Sequence, residues 1–152
     1  MIFLYGHPRC GKTTLMHQFG SYHVIDLDEF MLELQNEYGS IGEVYAENPQ
    51  CFYDLEAKAL RLALEQKPCV ISLGGGTLLR NTVSGKVIYL QQSLQVLRLR
   101  WQKDRPLTQM FADDAFYEER HLHYLHVSSL LWDNPLMWRD DLANLLNDEP
   151  KT

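Results

Sequence analysis

Residues 6–13 read Gly6-His7-Pro8-Arg9-Cys10-Gly11-Lys12-Thr13, the pattern G-x-x-x-x-G-K-[ST] of a phosphate-binding loop. Its flanks suit it. Met1-Ile2-Phe3-Leu4-Tyr5 is apolar and β-prone, and Thr14-Leu15-Met16-His17-Gln18-Phe19 reads as helix. A strand, a glycine-bounded loop and a helix start are the parts that phosphate binding requires. Backbone N–H groups wrap the phosphates, and the helix N-terminus adds positive potential. On this reading Gly6, His7, Pro8, Arg9, Cys10, Gly11, Lys12, Thr13 and Thr14 form a nucleotide-binding loop. Lys12 reaches the β- and γ-phosphates, and the Thr13 hydroxyl ligates Mg²⁺.

Outward from the loop, strand and helix patterns alternate. Val24-Ile25, ahead of Asp26, reads as a second short strand, and 30–34 continues into helix. A helix is predicted over 55–66, with Leu55, Ala59, Leu62 and Leu64 among its apolar positions. Pro68-Cys69-Val70-Ile71-Ser72-Leu73 reads as a buried strand ended by Gly74-Gly75-Gly76. Further strands are predicted over 86–90 and 128–132, and helices over 94–101 and 116–127. Asp133-Asn134-Pro135 turns the chain into a last helix running to about Leu146. This order predicts an α/β fold with a mostly parallel sheet covered on both faces. Ligands of such sheets gather beyond the carboxyl ends of the strands. The phosphate loop, Asp26/Asp28 and Gly74-Gly75-Gly76 each directly follow a strand, so they should converge on one cleft.

A chain of 152 residues that is 45% hydrophobic suits one compact domain over 1–152. Its net charge of −6 argues against a general nucleic-acid binder, while leaving a local nucleotide site open. Cys10, Cys51 and Cys69 lack metal-ligand spacing, and their odd number argues against a disulfide framework. Cys10 reads as a small residue that fits the loop. With the first strand starting at Ile2 and no apolar run of about 18 residues, neither a signal peptide nor a membrane span is expected. The expected location is cytoplasmic. His121, His123 and His126 do not share one helix face and read as polar residues rather than metal ligands. Trp101, Trp132 and Trp138 read as core and helix-packing residues.

Asp26-Leu27-Asp28 supplies two carboxylates beside the loop. One suits Mg²⁺ held through water, and the other suits orienting an acceptor hydroxyl and taking its proton. Asp28 would alternatively serve as a helix cap. Gly74-Gly75-Gly76 lets backbone approach a ligand. Arg105-Pro106-Leu107 lies in a polar stretch between helices, where an arginine would close over a transferring phosphoryl group. Arg120 starts Arg120-His121-Leu122-His123-Tyr124 on a helix.

Taken in order, the phosphate loop, Asp26-x-Asp28, Phe52-x-x-x-Glu56, Gly74-Gly75-Gly76, Arg105-Pro106-Leu107 and Arg120-x-x-x-Tyr124 resemble the shikimate kinase family. The resemblance runs over nearly the whole chain, to Asn134-Pro135. It implies a three-layer P-loop kinase fold with a five-stranded parallel sheet, a lid at about 102–114 and a substrate-binding segment at about 32–62. It further implies ATP- and Mg²⁺-dependent phosphoryl transfer to the 3-hydroxyl of shikimate by a monomer. Lys12 would stabilise the transferring phosphate, and Thr13 would hold Mg²⁺ with Asp26 behind it. Asp28 would contact the substrate hydroxyls as base or orienting group. Gly74, Gly75 and Gly76 would line the substrate, Arg120 would pair with its carboxylate, and Glu56 would support the site. Arg105 would be the lid arginine, and Arg98 with Pro135 would flank adenine.

The chain departs from the family pattern in four places. Tyr53 stands where the family carries an arginine that helps hold the substrate carboxylate, a change of about 1–3 kcal/mol unless Arg80 compensates. Asp54 beside it would repel a carboxylate if it faced inward. Arg9 occupies a position where glycine is common, so a positive φ there would leave Arg9 strained. The segment from Gly76 to Arg105 and the lid before Arg120 are short, and Leu122-His123 replaces the usual proline ahead of Leu-Tyr. Two other readings follow: a kinase of another small hydroxylated metabolite on the same fold, and a weakly catalytic nucleotide-binding regulatory module. The intact Lys12, Thr13, Asp26, Asp28 and Arg105 argue against the latter.

Overall fold

A computed structural model describes residues 1–103 and 114–148. Its first strand, β1 (Ile2–Tyr5), is buried along its whole length, as the centre of a parallel sheet with both faces covered must be. Four further strands complete the sheet: β2 (Val24–Asp26), β3 (Val70–Ser72), β4 (Lys86–Leu90) and β5 (Leu130–Trp132). The order is β2-β3-β1-β4-β5, with every pair parallel. The register aligns Leu4 and Asp26 with Ser72, and Tyr5 with Tyr89. The loops after β1, β2 and β3 therefore leave the sheet along one edge.

The helices are α1 (Lys12–His17), α2 (Leu27–Glu33), α3 (Ile41–Glu47), α4 (Pro49–Glu65), α5 (Leu94–Trp101), α6 (Asp114–Val127) and α7 (Trp138–Asp148). The twofold alternation of β1 sorts them into two layers. Ile2 and Leu4 face a cluster with Leu15, Met16, Leu97, Trp101, Trp138 and Leu142, from α1, α5 and α7. Phe3 and Tyr5 face the other, with Leu27, Met31, Ala59, Leu60, Ala63 and Tyr124, from α2, α4 and α6. The three-layer α/β arrangement and five-stranded parallel sheet are as expected. Among the described residues, no helix is long and apolar enough to cross a membrane.

The element boundaries differ where capping decides them. The helix predicted over 55–66 starts earlier, at Pro49, because the Asn48 side chain accepts from the Gln50 N–H and Pro49 suits the first turn. α2 begins at Leu27 because Asp26 Oδ1 accepts from the Glu29 N–H at 3.0 Å. Asp26, not Asp28, is thus the cap, and the capping alternative for Asp28 is set aside. The last helix opens as a 3₁₀ turn over Pro135–Met137 and becomes α-helical at Trp138.

α4 carries Tyr53 and Glu56, so its cap matters beyond stability. Asn48→Ala should lower the unfolding free energy by about 1 kcal/mol, and Asn48→Asp should retain most of it. Urea denaturation checks this, and an Ala variant as stable as the parent would remove the cap from the account.

Candidate active site

Two conformational demands shape the phosphate loop. Gly11 has φ 118° and packs under Trp138, whose ring carbon would lie 3.3 Å from an added Cβ. Arg9 has φ 68°, the left-handed region expected to strain a non-glycine residue, at about 1–2 kcal/mol. α5 braces the loop on both sides of this position. Trp101 Nε1 donates to Pro8 O and Arg100 Nη1 donates to Arg9 O, each at 2.8 Å.

Lys12 is buried, and its ammonium donates to Gly6 O at 2.8 Å and His7 O at 3.0 Å. The loop's own carbonyls hold the cation in the loop. At the start of α1, Thr13 Oγ1 donates to Asp26 Oδ2 at 2.6 Å. Asp26 therefore does two things at once: one oxygen caps α2 and the other meets the Thr13 hydroxyl. A hydroxyl and a carboxylate side by side are the hard oxygen donors that suit Mg²⁺.

Asp28 lies one helical step on, against the glycine loop. A Cβ built on Gly74 would lie 3.1 Å from Asp28 Oδ1, 3.1 Å from Thr77 Oγ1 and 3.4 Å from Glu56 Oε2. Water reaches Asp28. Even so, the protein wall around it and the neighbouring Asp26 push its carboxyl up to about 6, against the pull of Lys12. Glu56 is buried, and burial raises its pKa against the lowering effect of the Thr77 hydroxyl, which donates to Oε2 at 2.9 Å.

Gly75 is where the two loops touch. An added Cβ would sit 2.8 Å from the Pro8 ring carbons Cγ and Cδ. Its carbonyl accepts from Arg120 Nη1 at 2.8 Å and from the Tyr124 hydroxyl at 2.6 Å, so one face of α6 grips the loop. Gly76 lies under the Arg120 guanidinium, which also stands 4.8 Å from the Phe116 ring centroid.

The remaining sequence-derived candidates divide. His7 is fully buried beneath the loop. Its ring stacks on Tyr117 at 4.4 Å, its Nε2–H donates to Tyr117 O at 3.0 Å, and burial lowers its pKa to about 4. Its side chain therefore serves packing, and only its backbone is left for a phosphate. His121 and His123 share hydrogen bonds with the sheet tyrosines Tyr89 and Tyr5 at 2.8 and 2.7 Å. Arg98 pairs with Asp114, and Pro135 opens the 3₁₀ turn after β5. Tyr53 is half-buried with the Arg80 guanidinium 3.5 Å above its ring, while Asp54 points outward to Gln50. Arg105 and the body of the expected lid, 104–113, lie outside the described residues.

Sequence reasoning missed Thr77, Tyr117 and the bracing pair Arg100/Trp101. Tyr124 was named with Arg120 in Arg120-x-x-x-Tyr124, whose i, i+4 spacing places both on one helix face.

A family model described as shikimate kinase matches residues 8–137. A shikimate kinase of Chlorobium limicola is 38% identical over 120 residues, 70% of this chain and 59% of that protein. Shikimate kinase 2 of Pectobacterium carotovorum is 30% identical over 133 residues, 74% of this chain and 75% of that protein. Against the first of these relatives, and against one from Chlorobaculum parvum at 63%, the chain spans only about three-fifths of the curated protein's length. The crystal structure of shikimate kinase from Bacteroides thetaiotaomicron superposes with a TM-score of 0.70 at 24% identity, covering 96% of both chains. Shikimate kinase from Acinetobacter baumannii in complex with shikimate superposes at 0.73 and 22% identity, covering 99% and 94%. These two structures carry the fold. The chain belongs to the shikimate kinase family.

The raised Asp28 pKa has a consequence for stability. An aspartate ordinarily titrating at 3.8 that titrates at about 6 in the fold takes up a proton on folding between those values. Its contribution is fully present below the ordinary value and is lost as pH rises through about 6. Asp28→Asn should therefore melt higher than the parent at neutral pH, with the gap closing as pH falls towards about 4. A gap that does not change with pH would contradict the assignment.

Proposed function

We propose that the chain transfers the γ-phosphoryl group of Mg²⁺–ATP to the 3-hydroxyl of shikimate. The observation that carries this reading is the contact of Gly75 with Pro8, with the Asp28 carboxylate against neighbouring Gly74. Glycine backbone against the phosphate loop, with a carboxylate beside it, supports a reading in which an acceptor and its base lie next to the phosphates. Family membership supports the reaction class, and the A. baumannii relative, crystallised with shikimate, supports the acceptor.

In this reading the backbone N–H groups of the loop over 6–14, Pro8 excepted because it has none, hold the phosphates. Lys12 leaves the carbonyls of Gly6 and His7 for the transferring group, whose charge it offsets. Thr13 and Asp26 would hold Mg²⁺, which would supply positive charge to offset that of the transferring group. Asp28 orients the acceptor hydroxyl and takes its proton as the oxygen attacks phosphorus. The backbone of Gly74, Gly75 and Gly76 supports the acceptor ring, and Arg120 receives its carboxylate beside Gly76. Glu56 holds the Thr77 hydroxyl and with it the start of the turn after the glycines. Arg105 acts from the lid, and Arg98 with Pro135 flanks adenine. The segment 32–62 moves with the acceptor, and the chain works as a monomer on a small molecule.

A second reading, the same transfer to a different small hydroxylated acceptor, is favoured by Tyr53, which supplies a phenol in place of a guanidinium.

The test is ADP release from Mg²⁺–ATP with and without shikimate. Release should depend on shikimate, and equal release in its absence would overturn the proposal. Lys12→Ala and Asp28→Asn should each lower kcat by about 10²-fold or more while the fold survives. Activity should rise with pH through an acidic limb near the Asp28 value of about 6, because only the carboxylate form takes a proton. The limb should be missing from the residual activity of Asp28→Asn.

A further inference from the structure

Two guanidiniums belong to the region of the glycine loop. Arg120 reaches Gly75 from α6. Arg80 is carried at the end of the turn that follows the glycines. That turn is fixed by Thr77, whose carbonyl accepts from the N–H groups of Arg80 and Asn81 and from the Asn81 side chain, and whose hydroxyl is held by Glu56. Both arginines act electrostatically on the Glu56 carboxyl, which lies with Asp28 against Gly74. The two cations therefore bear on one small region.

The Arg80 side chain has one face occupied and its edge available. Its guanidinium carbon lies 3.5 Å from the centroid of the Tyr53 ring. Tyr53 is itself in edge contact with the Tyr45 and Phe52 rings. Among the described residues, the Arg80 guanidinium makes no hydrogen bond or ion pair. A guanidinium lying over a ring keeps its donors in its own plane, directed outward as a fork that matches a carboxylate. Arg120 already commits one donor to Gly75 O. An acceptor carboxylate beside Gly76 would thus meet the partly used fork of Arg120 and leave a second contact to be supplied by the uncommitted fork of Arg80.

We infer that Arg80, seated on Tyr53, is a second carboxylate-binding residue of the acceptor site, and that Tyr53 is the positioning residue that aims it. This rests on the proposed function. It assigns to Tyr53 a role that needs no contact with the acceptor: the ring fixes where the fork points, and the fork supplies the charge.

The experiment is steady-state kinetics on shikimate and competitive inhibition by its uncharged methyl ester, with the parent, Arg80→Ala, Arg80→Lys, Tyr53→Leu and Tyr53→Phe. Arg80→Ala should raise the KM for shikimate about tenfold to a hundredfold, leave the KM for ATP unchanged, and leave the ester's inhibition constant unchanged. Arg80→Lys should restore only part of the loss, since an ammonium cannot form the fork. Tyr53→Leu should reproduce the defect, again only towards the acid, while Tyr53→Phe keeps the ring and stays near the parent. Equal effects on acid and ester, or no effect of Arg80→Ala on either, would overturn the inference with the kinase reading intact. If Arg80→Ala fails to fold, Tyr53→Leu against Tyr53→Phe carries the same comparison. A parent enzyme that does not turn over shikimate would overturn the functional reading, and this inference with it.

Discussion

The contact between Gly75 and Pro8 is the constraint on which the site depends. The phosphate loop follows β1 and the glycine loop follows β3, and these strands are neighbours in the sheet. Their parallel register brings both loops out on one edge, but a sheet alone does not hold two loops at van der Waals distance. Here the missing Cβ of Gly75 makes room for the Pro8 ring, and two donors of α6 hold the Gly75 carbonyl. Any larger residue would push the loops apart by collision with a ring that cannot bend away. Loops this close suit direct transfer between a held phosphate and a held hydroxyl, because a near-attack separation of about 3–3.5 Å leaves no room for slack.

The two aspartates of Asp26-Leu27-Asp28 show how two residues apart along the chain becomes two different chemistries. Asp26 ends β2, where it caps α2 with one oxygen and accepts from Thr13 with the other. Both of its oxygens are thus engaged, one by the backbone of α2 and one by the phosphate loop. Asp28 sits inside the first turn of the helix and faces the glycine loop. There protein packing and the fixed charge of Asp26 disfavour its own ionisation. The two carboxylates are thereby set apart: one is tied to the helix start and the Thr13 hydroxyl, and the other stands against the glycine loop with its pKa raised. The cap is what separates them: because Asp26 stops the strand and starts the helix, Asp28 is turned towards the second loop.

Much of this was legible in the sequence, for reasons that can be named. The strand-loop-helix around Gly6 to Thr13 is encoded locally, and β4 and α5 fell on their predicted residues because apolar runs and a Ser93 cap mark their ends. The start of α4 was missed because the Asn48-Pro49 signal lies ahead of the apolar periodicity that was used to find the helix. The role of His7 was not legible. The motif assigns it to the phosphate loop, whereas its side chain follows the aromatic residues of α6, 110 positions further on, into the core. Long-range partners of this kind leave no trace in spacing. The same holds for Arg80: the sequence shows a tyrosine in α4 and an arginine after the glycines, and only the folded chain stacks one on the other.

The arrangement around Arg120 also explains why one guanidinium would carry two duties there. A guanidinium has five donors in a rigid plane, so giving one to Gly75 O still leaves others directed elsewhere. A lysine that held the Gly75 carbonyl would offer a compact ammonium without the planar fork that a carboxylate matches. The carbonyl has a second donor in Tyr124, which would keep the loop gripped if Arg120 turned towards a bound anion. The tyrosine hydroxyl is deeply buried and held well above its ordinary pKa, so it stays a neutral donor throughout. A deeply buried neutral donor and a half-buried charged donor on one carbonyl would together suit a glycine loop that has to be held with and without an acceptor.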